Sequence, residues 1–138
     1  MRIAFDSNIF IYALEKRDIL SEQAQAALRQ LDGEHKHGVA STLCFTEILP
    51  QPQRHSPQAG LIAQLFLEGL EYVDFRPLDM ETSIRAGHLL AAHGPKLTTP
   101  DAVHLATALY AGADIFVTND KVLTKLKIDG LEIKLLGR

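Results

Sequence analysis

Residues 2–8 read RIAFDSN: the apolar side chains of Ile3, Ala4 and Phe5 run straight into the polar triplet Asp6-Ser7-Asn8. A short apolar run stopped by turn-forming residues predicts a buried strand and its exit. The same pattern returns at residues 114–120, DIFVTND, where Asp114 to Val117 predicts a strand and Thr118-Asn119-Asp120 its polar exit. Between these two stretches strands alternate with helices. Ile9 to Leu14 starts a helix. Ser21 to Leu31 has Ser21 as N-cap, an early Glu22, apolar Ala24, Ala27, Leu28 and Leu31 at helical spacing, and Gly33 as a stop. Gly38 to Ser41 is a brief strand. Ser41 or Thr42 caps a helix carrying Leu43, Phe45, Glu47 and Leu49, which Pro50 ends.

Residues 50–57, rich in Pro and Gln, predict a surface loop. Leu61 to Leu70 follows as a helix, Tyr72 to Arg76 as a strand, and Asp79 caps a helix reaching about His93. A threonine, Thr98 or Thr99, caps the next helix, with Pro100 in the first turn, where its missing N–H costs little. Ala102 to Ala111 continues that helix, and Leu131 to Leu136 is the last strand. The alternation predicts an α/β fold: one domain over residues 1–138, with a mainly parallel central sheet flanked by helices on both faces. Ligands in such sheets collect beyond the carboxyl ends of the strands. Asp6 and Asp120 both sit at an exit of that kind.

The 138 residues are 46% hydrophobic, enough to build one core. A lone Cys44 excludes an internal disulfide, and no Cys/His spacing suggests structural zinc. The charged start MRIAFD and the lack of an apolar run near the roughly 20 residues of a membrane span point to a cytoplasmic protein with no membrane association. The net charge of −3 counts against a nucleic-acid partner. Setting aside four acids for a metal site leaves thirteen against fourteen Lys and Arg, a balance of +1, so the objection is weak.

Most of the seventeen acidic residues lie in polar or capping contexts. Four instead follow or interrupt apolar stretches: Asp6 in IAFDSN, Glu47 in CFTEIL, Asp101 in TPDAVHLA and Asp120 in FVTNDK. Carboxylates brought to one edge of a packed sheet repel and lose hydration, so they need protonation, paired bases or a metal. Caps and solvated loops account for any one of them; the four together favour a metal site. Hard oxygen donors favour Mg²⁺ or Mn²⁺.

FDSN at residues 5–8, TEIL at 46–49, PDAVHLATAL at 100–109 and VTND at 117–120, in this order, resemble the PIN-domain nucleases along nearly the whole chain. Within that family the look is closest to the small toxin ribonucleases of the VapC kind. The resemblance implies that Asp6, Glu47, Asp101 and Asp120 are the metal-binding, catalytic acids of an endoribonuclease leaving a 5′-phosphate and a 3′-hydroxyl. It also implies homodimers and inhibition by a small antitoxin. Ser7 stands where threonine is common in the family and keeps the hydroxyl.

The same chemistry follows from the reaction. In-line attack of water on a phosphodiester builds charge on the attacking and leaving oxygens, and divalent ions held by carboxylates meet both demands. Asp101, near a helix N-terminus, sits in a dipole that favours its ionised form. Ser7, Asn8, Thr118 and Asn119 are suited to orienting the acids by hydrogen bonds, although Ser7 and Asn8 also end strands and start helices without any catalytic duty. His104, three residues after Asp101 on one helix, reads as a packed or hydrogen-bonded residue rather than a ligand. His35 and His37 flank a surface turn, and Cys44 is a small buried hydrophobe. Arg54, Lys96, Lys121 and Lys125 are either RNA-steering cations or ordinary solvated charges.

Two readings stand beside the toxin ribonuclease: a PIN-fold RNA-processing nuclease outside a toxin system, and an RNA- or protein-binding module with little cleavage. An aspartyl-phosphate phosphatase, which also begins with Asp after a first strand, needs an acid two positions on. Asn8 occupies that position and cannot donate the proton.

Overall fold

The computed structural model describes residues 1–138. Five strands, β1 (Arg2–Phe5), β2 (His37–Ser41), β3 (Val73–Arg76), β4 (Ile115–Thr118) and β5 (Glu132–Leu135), form one sheet in the order β3-β2-β1-β4-β5. Every pairing is parallel. The α/β expectation holds, with a sheet that is wholly rather than mainly parallel. Seven α-helices connect and cover the strands: α1 (Ser7–Glu15), α2 (Ile19–Arg29), α3 (Leu43–Ile48), α4 (Pro50–His55), α5 (Pro57–Glu68), α6 (Met80–His93) and α7 (Thr99–Tyr110). None is long and apolar enough to cross a membrane.

Side chains alternate across the strands, and both faces of the sheet are buried. Ile3 and Phe5 of β1 join Ile9, Phe10, Ala24 and Leu67 in one core, under α1, α2 and α5. Ala4 points the other way, into a second core with Leu89, Leu105, Ala106 and Phe116, under α6 and α7. Val39 and Ala40 of β2 divide between the cores in the same manner. Residues Ala102–Ala108 of α7 are all buried, so this helix is enclosed on every side rather than amphipathic. Its run of alanines lets it lie close against the sheet.

Several local expectations need correction. Helix α1 begins at Ser7, not Ile9, because Asp6 caps it and accepts from the Ser7 N–H. Helix α2 begins at Ile19, and its cap is Asp18, whose carboxylate accepts from Ser21 N at 3.1 Å. Ser21 is buried within the helix, and its hydroxyl accepts instead from Arg17 N. The helix stops at Arg29, short of Leu31. Residues 50–55 are helical rather than a loop. Pro50 has no N–H to continue α3, yet it suits the first position of α4, and Pro52 lies in that same first turn, where N–H groups have no helical acceptor. Ser56 then caps α5 by accepting from Ala59 N. The cap read at Asp79 is in place, and of Thr98 and Thr99 it is Thr98 that caps α7.

Winding proceeds outward from β1 in both directions, through β2 and β3 on one side and β4 and β5 on the other. The switch therefore falls between β1 and β4, where the crevice of such sheets lies, outside the carboxyl ends of the strands.

Candidate active site at the carboxyl edge

Asp6 leaves the end of β1 directly into this crevice, and its own N–H bonds Val117 O at 3.0 Å, tying it to the neighbouring strand β4. Its side chain is only 5% exposed. One oxygen accepts from Ser7 N at 2.9 Å; the other accepts from the Thr118 hydroxyl at 2.7 Å. Burial pushes its pKa above the ordinary aspartate value, and the charge of Asp101 adds to that; His104 and the Thr118 hydroxyl oppose it without cancelling it. A carboxylate this enclosed carries an unbalanced charge whenever it is ionised.

Thr118, fully buried at the end of β4, links two of the acids: it donates to Asp6 and accepts from the Asp120 N–H at 3.0 Å. Asp120 lies partly exposed in the turn beyond, and its Oδ1 accepts from Val122 N at 2.9 Å. Asp101 stands in the first turn of α7, where Thr98 accepts from its N–H. Glu47 comes from α3, which follows β2, and is bonded by His104. The His104 Nε2 to Glu47 Oε1 distance is 2.5 Å. Burial raises the Glu47 pKa, but the His104 hydrogen bond and charge outweigh it and hold the carboxyl below the usual range.

Of the four acids, Asp6 and Asp120 are linked through Thr118, and Glu47 bonds His104 on α7, the helix that also carries Asp101. Their side chains do not close as three or more around one point. Of the candidate orienting residues, Asn8 Nδ2 reaches Asp6 Oδ2 at 3.5 Å, while its buried Oδ1 has no hydrogen-bond partner. Asn119 turns away from the acids and donates to the Tyr12 hydroxyl at 3.0 Å.

His104 is almost fully buried and hydrogen-bonded, as read from its place on α7. Its partner, Glu47, lies 57 residues away, which helical spacing gave no means to find. Cys44 is buried beside the same carboxylates; burial, followed by the charges of Glu47 and Asp6, pushes its thiol up, so it is inert as a nucleophile near neutral pH. His35 lies in the expected surface turn, organised by Asp32, whose carboxylate accepts from the N–H groups of Glu34, His35 and Lys36, while His37 already opens β2 as an exposed residue. Arg54 donates to its own helix at Pro50 O.

These features define an α/β domain with buried and half-buried carboxylates gathered where the strand order switches. The chain belongs to the PIN domain family, whose model matches residues 3–128. No curated protein matches it by sequence. Among solved structures it is similar to VapBC2 from Rickettsia felis bound to a DNA fragment from their promoter, at 18% identity over 99% of each chain with a TM-score of 0.74. It is similar also to a toxin-antitoxin complex from Klebsiella pneumoniae, at 22% identity over 94% of each chain and a TM-score of 0.69. A third is VapC20 of Mycobacterium tuberculosis, a Sarcin-Ricin loop cleaving toxin, at 14% identity, a TM-score of 0.67, and coverage of 83% of this chain and 86% of that one. At these identities the likeness shows the fold.

Proposed function

We propose that this chain is a divalent-metal-dependent endoribonuclease that hydrolyses RNA phosphodiester bonds, and that it is the toxin of a toxin–antitoxin pair. The observation that carries the reading is Asp6: a carboxylate sealed at the switch point, pushed toward its neutral form by burial and by Asp101. A cation relieves both effects at once. The donors fit a hard ion, being carboxylate oxygens together with the unpartnered amide oxygen of Asn8, with no accessible sulfur.

The residues that would hold Mg²⁺ or Mn²⁺ are Asp6, Glu47, Asp101 and Asp120. When bound, the ion lowers the pKa of a water molecule toward neutrality and offsets charge building on the phosphate and its leaving oxygen. The protein's own part is positional. Thr118 and the Ser7 N–H fix both oxygens of Asp6, and the Thr98 cap fixes the first turn of α7, which carries Asp101. Lys121 directly follows Asp120, and Lys96 precedes α7 at the same edge, so cations for RNA phosphates flank the acids.

The solved relatives held in toxin–antitoxin complexes support a small antitoxin as partner. Homodimerisation in the cytoplasm belongs to the same reading; exposed Leu61, Ile62 and Leu65 on α5 supply apolar surface for it. The deciding experiment incubates the purified chain with structured and single-stranded RNA under Mg²⁺, Mn²⁺, chelator, and chelator followed by restored metal. Cleavage is expected only where metal is present. Cleavage that survives thorough chelation would sink the mechanism, and RNA binding without cleavage in every condition would assign a binding module instead.

A further inference from the structure

His104 is 2% exposed in the middle of α7, and the one hydrogen bond of its ring goes to Glu47. Its other nitrogen, Nδ1, is buried with no partner. A histidine retained to satisfy the core would be expected to bond backbone groups on both sides, because buried polar atoms are ordinarily paired. Here the whole polar capacity of the ring is spent on one carboxylate of the crevice. With Nδ1 unpartnered, Nε2 is the ring atom that meets Glu47, its N–H donating to Oε1.

Glu47 needs such a partner. It projects from the six-residue helix α3 with its side chain 30% exposed, and has several rotatable bonds to freeze before its carboxylate can share a ligand with Asp6. We propose that His104 is the positioning residue for Glu47: it clamps Oε1 from the buried helix α7. Helix α3 and helix α7 are thereby joined at the point where a divalent cation would bind. This rests on the metal-dependent reading of the site, and adds that cation affinity depends on a group that never touches the cation.

The test is Mn²⁺ binding to the purified full chain, measured by calorimetry, beside thermal melts without metal. H104Q places an amide N–H at the same number of bonds from Cβ as Nε2; H104L keeps bulk and removes the donor. H104L is expected to weaken Mn²⁺ binding at least about tenfold, the usual scale for losing a partner of a metal ligand, while H104Q stays close to the parent value. H104L binding Mn²⁺ as tightly as the parent, or H104Q losing as much as H104L, overturns the positioning role and leaves the metal reading standing. A parent chain that binds no Mn²⁺ removes the metal reading and the proposal together. Should the variants fail to fold, the parent decides: the His104 Nε2–H resonance in ¹⁵N NMR must be present and must shift on saturation with Mg²⁺. A resonance that ignores Mg²⁺ overturns the proposal.

Discussion

Asp6 carries opposing demands at a single position. It caps α1, receives hydrogen bonds from Ser7 and Thr118, and yet lies where burial disfavours its charge. Asn at the same position keeps the capping oxygen and drops the charge. D6N is therefore expected to lose RNA cleavage by at least about a hundredfold, since removing a metal ligand removes the ion's contribution, while melting higher than the parent without metal. The pH dependence has a definite sign. A folded-state pKa raised above its unfolded value of 3.8 makes the stability from this group full below 3.8 and lost as pH rises through the folded value. The melting advantage of D6N over the metal-free parent should accordingly widen with pH across that window; a gap that stays constant or narrows would refute the desolvation account of Asp6. Thr118 offers a second handle. T118V strips a buried hydroxyl that both donates to Asp6 and accepts from Asp120 N, so a loss of about 1–3 kcal/mol in urea unfolding is expected. T118S should recover most of it.

At the level of elements, short polar residues decided where helices start, and those starts were legible wherever the cap stood in sequence next to an apolar periodicity, as at Asp79 and Thr98. Ser21 misled because the periodicity begins two residues earlier, at Ile19, and Asp18 is the nearer acceptor. The 50–57 stretch misled because proline was weighed as a breaker, whereas two prolines within a first turn interrupt no hydrogen bond. The end of α1 carries a testable strain. Lys16 is the one non-glycine residue with positive φ, at 54°, where a side chain costs about 1–2 kcal/mol. K16G is expected to raise the unfolding free energy by about 0.5–1 kcal/mol once the greater chain entropy of glycine is set against the relief. An unchanged or lower chemical-unfolding midpoint would show that Lys16 is not strained there.

For the whole molecule, the fold class and the acids at the ends of β1 and β4 could be read from the chain because each depends on a local pattern, an apolar run broken by a polar exit. The meeting of Glu47 with His104 could not, and Thr118 was legible as a residue that orients the acids but not as the partner of Asp6, since each pair exists only after α3, α7 and two central strands have packed. Cation binding should then be visible as global stability. With Mg²⁺ at a hundred times its dissociation constant, linkage predicts a gain of about 2.7 kcal/mol in the parent. The same addition should leave D6N nearly unmoved, and an equal gain in both would place the stabilising ion elsewhere.

The parallel sheet also imposes an order on events. Ile3 in the central strand pairs with Ile115, and Asp6 receives the Thr118 hydroxyl across 112 positions of chain. Contacts so distant along the chain make folding slow compared with a helical bundle of this size. On a ribosome, which delivers the polypeptide from its amino end, the first strand must wait beside only one neighbour until the segment around residue 115 emerges. Asp6 stays apart from Thr118 and Asp120 until that segment arrives, so the carboxylates that follow β1 and β4 meet only once the central pairing has formed.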